Sequence, residues 1–435
     1  MRNKIFKALT FILLAVIFTA AFLPQRFSFA TTVKISKELA GKIQSSKDLR
    51  IPVIVQTTDG IKERHKSVLQ KHAGTLNHEL SMIKGFSALV PVEAIDELVR
   101  EDDVTGISYD YEVQSTLDVA APAVGAPAYW TSGFTGKGIT VAVIDTGIYP
   151  HPDLTQPMNR IVGFRDFVNN YSSPYDDNGH GTHVAGIVAG NGSKSSGQYK
   201  GAAPEASLVG VKVLDSTGGG RASNVIAGIQ WVVQNKTAYG IKVVNLSLGA
   251  KATESSTTDP LSEAVDTAWQ SGLVVVAAAG NDGPAPGTIN TPGINPRIIT
   301  VGAVDDMGTV AVQDDVIAGF SGRGPTIDGL TKPDLVAPGV NITSLASDTT
   351  YLPKKNSGSG GKPGKAAQAI TQGKPAQTTI TNYYVTMSGT SMATPMVAGT
   401  AALLLEQNPA WTPDEVKRQM MSSRLSTLKL RIESS

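Results

Sequence analysis

The 435-residue sequence contains no cysteine, no surplus of charge and few aromatic residues. Without cysteine there is no disulfide framework, no thiolate metal site and no cysteine nucleophile. Lysine and arginine number 38 against 37 aspartates and glutamates, so the basic excess that phosphate backbones demand of a nucleic-acid binder is missing. Aromatic residues are only 6% of the chain, but Val, Ile, Leu and Ala are plentiful, and the composition is that of a globular protein. At about 100–200 residues per domain, the length allows two or three domains with ample core.

One long apolar run stands out, at the start. Arg2, Lys4 and Lys7 precede Ala8–Leu23, and Ser28-Phe29-Ala30 offers small residues for cleavage. That order reads as a secretory signal peptide over residues 1–30, with a membrane anchor as the competing reading. Its removal takes four basic residues and no acid, leaving 34 basic and 37 acidic residues. The exported chain is then expected outside the cell, with no stable membrane association and no nucleic-acid partner.

Composition divides the remainder. Residues 31–115 alternate strand and helix patterns: Val53-Ile54-Val55, Ile61–His72, Leu76–Ile83, Phe86–Val90, a helix opened by Pro91-Val92-Glu93, and a last strand Gly106–Val113. The order β-α-β-β-α-β predicts a small ferredoxin-like α+β unit. From about residue 116 the chain becomes rich in Gly, Ala and Val. Ile139–Ile144, Leu208–Val213, Val243–Leu246, Leu273–Ala278 and Ile298–Val301 are unbroken apolar runs, as expected of parallel strands buried on both faces. Helical stretches such as Ala222–Gln234, Pro260–Ser271 and Ser391–Glu406 lie between them. The expected fold class is α/β: a doubly wound, mainly parallel sheet with helices on both faces and its site at the carboxyl ends of the strands.

Three motifs fall where such a fold puts a site. The strand Ile139–Ile144 ends in Asp145-Thr146-Gly147. His180-Gly181-Thr182-His183 opens an apolar helix and puts His183 in its first turn. Gly389-Thr390-Ser391-Met392-Ala393 starts another helix at Ser391. Alone, each residue has an ordinary reading: a turn aspartate, a first-turn histidine, an N-cap serine. The histidines lack the HExxH zinc pattern, and Ala393 breaks a G-x-S-x-G elbow. Together, Asp, His and Ser in chain order form one of the known triad orders.

With these segments in hand, VAVIDTG, HGTHVAG and GTSMATP resemble the corresponding motifs of the subtilisin-like serine proteases, from about Ala121 to Lys417. The resemblance implies a secreted, self-processing serine endopeptidase acting on proteins and peptides as a monomer. It implies Ser391 as nucleophile, His183 as general base, Asp145 as its orienting carboxylate and Asn281 as an oxyanion-hole amide. No cofactor is implied for the chemistry. Ser247-Leu248-Gly249 and Gly218-Gly219-Gly220 resemble the segments that pair with an extended substrate, Ala279 and Gly280 are expected among the substrate contacts, and Asn290 falls at the base of the primary pocket. There many relatives have Gly in place of Asn290, so a narrower pocket is expected. Residues 31–114 resemble the family's propeptide, an inhibitor and folding chaperone whose last strand, Tyr109–Gln114, occupies the active site, and 115–435 the catalytic domain.

Three departures accompany the resemblance. Residues 191–204 lack the Asn-rich calcium loop of many secreted subtilisins, which leaves any metal site unknown and structural calcium possible without support; Asp153 alone cannot supply six to eight oxygens. A lysine-rich, Gly/Ser/Pro-rich insertion at 348–383 reads as a solvated loop. The segment after Ser422 lacks the family's Gly-containing closing stretch.

Overall fold

The computed structural model describes residues 34–45, 50–115, 126–309, 313–351 and 378–422. The expected signal peptide, most of the lysine-rich insertion and the closing tail lie outside these residues.

The N-terminal unit contains α1 (Lys37–Ser45), β1 (Ile51–Thr57), α2 (Glu63–Lys71), β2 (Thr75–Leu80), β3 (Gly85–Val90), α3 (Val92–Leu98) and β4 (Val104–Tyr109). Its strands form one antiparallel sheet in the order β2-β3-β1-β4. Period-2 alternation decides what each face does. Val53 and Val55 join Phe86, Ala88, Ile95 and Leu98 in the unit's own core, whereas Ile54 between them joins the core of the following unit. The sheet is thus apolar on both faces because it is packed on both.

The single strand expected over Gly106–Val113 is broken. β4 ends at Tyr109, and β5 (Glu112–Ser115) starts after Asp110-Tyr111. Both break residues serve helices of the next unit, α7 (Ala222–Tyr239) and α8 (Pro260–Gln270). The buried Asp110 carboxylate accepts from the Ser223 N–H (3.0 Å) and hydroxyl (2.7 Å) in the first turn of α7. The Tyr111 hydroxyl donates to Asp259 (3.0 Å), the N-cap of α8. Unpaired N–H groups and the helix dipole make these termini natural sites for carboxylates.

The large unit is built on β6 (Thr140–Asp145), β7 (Ile161–Asp166), β8 (Ser207–Lys212), β10 (Ile241–Leu246), β12 (Val274–Ala278), β14 (Ile299–Asp305), β15 (Val316–Ile317) and β16 (Leu335–Pro338). The order is β15-β14-β12-β10-β6-β8-β7, with β16 also on β14. Every pair is parallel except β14–β15. From β6 the chain crosses to the edge strand β7, returns to β8 between them, and then passes to β10 on the other side of β6 and builds outward through β12 and β14. The direction of winding thus changes at β6 and β10, where open α/β sheets carry their sites. Between these elements run α4 (Ala126–Thr131), α5 (Pro152–Thr155) and α6 (His180–Ala189); α9 (Thr390–Gln407) and α10 (Pro413–Ser422) close the described chain. Residues Thr390–Leu405 of α9 are all buried, which explains why that helix is apolar on every side.

Two small sheets complete the architecture. In the first, β5 lies between β9 (Gly219–Arg221) and β11 (Leu248–Lys251), with β13 (Asn290–Thr291) beyond β11. In the second, β17 (Ile342–Leu345) pairs with β19 (Tyr384–Met387), which pairs with β18 (Thr378–Thr381). The insertion expected as an open loop therefore returns to the fold through a hairpin. Among the described residues no helix is long and apolar enough to cross a membrane.

Candidate active site

Asp145 is the last residue of β6 and is fully buried. Its Oδ1 accepts from its neighbour's N–H, Thr146 (2.7 Å), and lies 2.7 Å from Nδ1 of His180, the first residue of α6. A second carboxylate holds this pair in place. Oδ1 of Asp176 accepts from the Thr146 hydroxyl (2.9 Å) and the Gly179 N–H (2.8 Å), and Oδ2 from the Thr182 N–H (2.8 Å) and hydroxyl (2.7 Å). The Thr146 hydroxyl in turn accepts from the Gly181 N–H (2.8 Å). The end of β6 and the start of α6 are thereby one hydrogen-bonded unit. Only glycine fits at 181, because a Cβ there would meet the Gly147 carbonyl oxygen at 2.1 Å.

His183, expected to be the base, is not beside Asp145. One helical turn further on, it faces β17, and its Nε2 lies 3.0 Å from the Ile342 carbonyl oxygen. Burial, with the neighbouring His180 adding to it, holds its imidazole down at about 3, so it stays neutral and serves as a core donor. His180 takes the position expected of His183. The cue was present in the sequence: His180 directly follows the Asp176-Asp177-Asn178-Gly179 turn, whereas His183 is already inside the apolar run.

Ser391 is the second residue of α9, which packs against α6. Its hydroxyl donates to the Ser247 carbonyl (2.8 Å), and the Ser247 hydroxyl donates to the Ser391 carbonyl (2.8 Å). This reciprocal pair locks the helix start to the end of β10. Asn281 follows β12 by three residues, and its Oδ1 accepts from both the N–H (3.1 Å) and the hydroxyl (2.9 Å) of Thr390. Two donors on the oxygen fix the amide's orientation and turn its Nδ2 away from Thr390.

The segments expected to pair with substrate flank β5. Gln114 pairs with Gly249 and Gly219, Ser115 with Leu248, and Val113 with Gly220. Gly218 stands in the turn before β9 with φ of 83° and does not pair with β5. Asn290 is 7% exposed. A Cβ on Gly280 would meet its Cγ and Nδ2 at 2.6 Å, so the Asn290 side chain fills the space against Gly280. Its N–H donates to the Ala279 carbonyl (2.9 Å).

The Subtilase family model matches residues 136–431 of this chain. The chain belongs to the subtilase family. Among curated relatives it is similar to Serine protease AprX of Bacillus subtilis (strain 168), 45% identical over 389 residues, which cover 86% of this chain and 83% of the relative. Subtilisin E from the same strain is 32% identical over 418 residues, covering 94% and 91%. A cold-adapted subtilisin-like serine proteinase of known structure is 34% identical, with a TM-score of 0.49, covering 66% of this chain and 83% of its own. This subtilase is a serine endopeptidase with an α/β fold, and its chemistry needs no cofactor.

Structural calcium is a separate matter, and around Asp153 the subtilase does not offer a donor set for it. The fully buried carboxylate accepts from the Ser193 hydroxyl (2.9 Å), the Lys194 N–H (3.0 Å) and the Tyr384 hydroxyl (2.6 Å). The Arg160 guanidinium bonds to the Asp153, Ala189 and Ala206 carbonyls. Hydrogen-bond donors thus surround the aspartate, where a calcium ion would need more oxygens. Among the described residues the one group of three His, Asp or Glu side chains close enough to share a metal, His65, Glu101 and Asp103, sits in the N-terminal unit, and its Asp103 is paired with Lys62 and Arg64.

Proposed function

We propose that this subtilase is a secreted, self-processing endopeptidase whose triad is Asp145, His180 and Ser391, and whose N-terminal unit is its own inhibitory propeptide. The observation that carries the reading is β5 of that unit, paired on both edges in the cleft beside Ser391. Ser391 Oγ adds to the scissile carbonyl while His180 takes its proton, forming the tetrahedral oxyanion. His180 then gives the proton to the leaving amine, and an acyl-enzyme remains for water to hydrolyse. Asp145 holds the imidazole tautomer and stabilises its charged form. The oxyanion is received by Asn281 Nδ2 and the Ser391 N–H at the start of α9, where the helix dipole adds to the effect. Main-chain pairing along β9 and β11 supplies affinity for extended chains of many sequences. A fluorophosphonate that labels Ser391, together with casein turnover, supports the reading; labelling without peptide hydrolysis counts against it.

Asn281→Ala should lower kcat with KM nearly unchanged, because its amide matters most when the oxyanion exists. For subtilisin itself, on which this was measured, the loss is on the order of 10²–10³. An Asn281→Ala enzyme with unaltered kcat would reduce Asn281 to a residue that merely caps α9. The primary pocket gives a second expectation. Asn290→Gly removes the side chain that fills the space against Gly280, and should raise kcat/KM for peptides with a large apolar residue before the cut relative to those with a small one. An unchanged ratio places the specificity elsewhere.

The hold of the propeptide should depend on pH. Glu254 faces Ser36 and Ser108 of the N-terminal unit; burial raises its carboxyl to about 7, with Asp259 and Glu38 adding to the rise. Protonated Glu254 therefore favours the docked state. That contribution is complete below the ordinary carboxyl range and is lost as pH rises through about 7. Release after processing should be faster in alkali, and Glu254→Gln, neutral at every pH, should flatten the dependence. Identical pH profiles for release in the two proteins would sink the idea.

A further inference from the structure

Away from the cleft, two lysine ammonium groups share one nest of oxygens. Lys332 is 4% exposed, and its Nζ donates to the Ile298 carbonyl (3.0 Å), the Thr300 hydroxyl (3.0 Å) and Asp334 Oδ2 (2.6 Å). Lys417, on α10, reaches the same place from the other side. Its Nζ contacts the carbonyls of Pro296 (3.3 Å), Arg297 (3.0 Å) and Ile298 (2.8 Å), and Asp334 Oδ1 (3.0 Å). The nest is itself braced, since Asp334 Oδ2 also accepts from the Thr300 N–H (2.8 Å).

The chemistry of this nest is that of a hard-cation site. Three successive main-chain carbonyls, a hydroxyl and both oxygens of a carboxylate converge, the ligand types and number that calcium takes. The occupants are ammonium groups, three donors each and no acceptor, so every hydrogen they carry meets an oxygen of the nest. Together they bring the charge of one divalent ion. We propose that Lys332 and Lys417 stand in for a bound divalent cation, so that this part of the subtilase keeps its shape without calcium, and that removing both side chains turns the nest into a calcium site.

The nest is connected to the substrate pocket. The Thr300 hydroxyl donates to the Gly293 carbonyl (2.7 Å), three residues beyond Asn290. Lys332 therefore braces the segment that carries the pocket floor through one intervening hydroxyl. Burial holds Lys332 down at about 8, with Asp334 opposing the drop and Lys417 adding to it, so its ammonium group is charged at neutral pH. Asp153 follows the same logic elsewhere, with the Arg160 guanidinium seated on three carbonyls next to it.

The test uses the full chain carrying Ser391→Ala, so that self-digestion cannot intervene, and reads thermal unfolding; it is independent of which residues form the triad. With both lysines present, Tm should be the same in EDTA and in millimolar calcium chloride. Adding Lys332→Ala and Lys417→Ala should lower Tm in EDTA on the order of 5 °C. Calcium should restore much of that loss, and titration calorimetry should find one calcium site that the parent lacks. Should the double variant not fold, Lys417→Ala alone gives the reading, since its side chain lies nearer the rim, at 15% exposure. A drop in Tm that calcium reverses supports the proposal. A parent whose Tm falls in EDTA, lysine variants with unchanged Tm, or a drop that calcium leaves untouched overturns it.

Discussion

His180→Ala should abolish almost all turnover, whereas His183→Ala should leave kcat within about an order of magnitude of the parent. The two histidines lie in one helical turn and differ in what they face. His180 Nδ1 is 2.7 Å from the buried Asp145 carboxylate, which gives the imidazole an orienting partner and a counter-charge for the imidazolium. His183 has a main-chain carbonyl for a partner and burial that keeps it neutral. For a base that acts as one unit with its nucleophile, the loss in kcat is on the order of 10⁶, the figure that holds for subtilisin itself. The His183 change acts on stability. It leaves the Ile342 carbonyl without its donor, which costs about 1–3 kcal/mol, and opens a cavity in the core. Both variants should be processed in trans by a trace of parent enzyme that is then removed, and kcat and Tm measured on the product. A His183→Ala protein of normal Tm and no turnover, beside an active His180→Ala, would return the catalytic role to His183.

The confusion between these histidines shows where sequence reading stops. The central strands were legible because a parallel strand covered on both faces has to be apolar at every position, and Val141–Ile144 and Val243–Val244 are. Asp145, Ser391 and Asn281 could be singled out in the sequence because each ends, opens or follows such an element. Which histidine meets Asp145 depends on how α6 is rotated against β6. That rotation is set by Asp176, Thr146 and the contact of Gly181 with Gly147, and by β17, far away in the chain. The strand break at Asp110-Tyr111 was hidden for the same reason, since the helix termini that capture these residues belong to the next unit. Lys332 and Lys417 look like ordinary surface lysines until Asp334 and the carbonyls of 296–298 are brought to them. Local pattern fixes elements; partners distant in sequence fix orientation and the state of buried charge.

Ser391→Ala should yield an uncut chain, with the N-terminal unit still covalently joined to the protease. In the parent, β5 is held on both edges, and its last pairings, Gln114 with Gly249 and Ser115 with Leu248, bring it to within one residue of Ser247. The Ser391 hydroxyl bonds to the carbonyl of that same Ser247. The carboxyl end of the strand is therefore held beside the segment that bonds to Ser391, and the cut is expected next to Ser115 and not further back in the strand. Such intramolecular presentation removes the entropic cost of bringing substrate and nucleophile together, equivalent to effective concentrations of roughly 10⁵–10⁸ M when the reacting atoms are well aligned. Processing should then be first order, with a rate that does not change on dilution. Loss of the serine oxygen removes the only group proposed to form the acyl-enzyme, and alanine at a position already inside a buried helix leaves α9 intact. The variant should fold, resist fluorophosphonate labelling and run as one full-length band, while the parent separates into two pieces on denaturing gels. Complete maturation of a purified Ser391→Ala chain, free of other proteases, would show that the junction is cut by another agent, and concentration-dependent processing of the parent would show that one copy cuts the next.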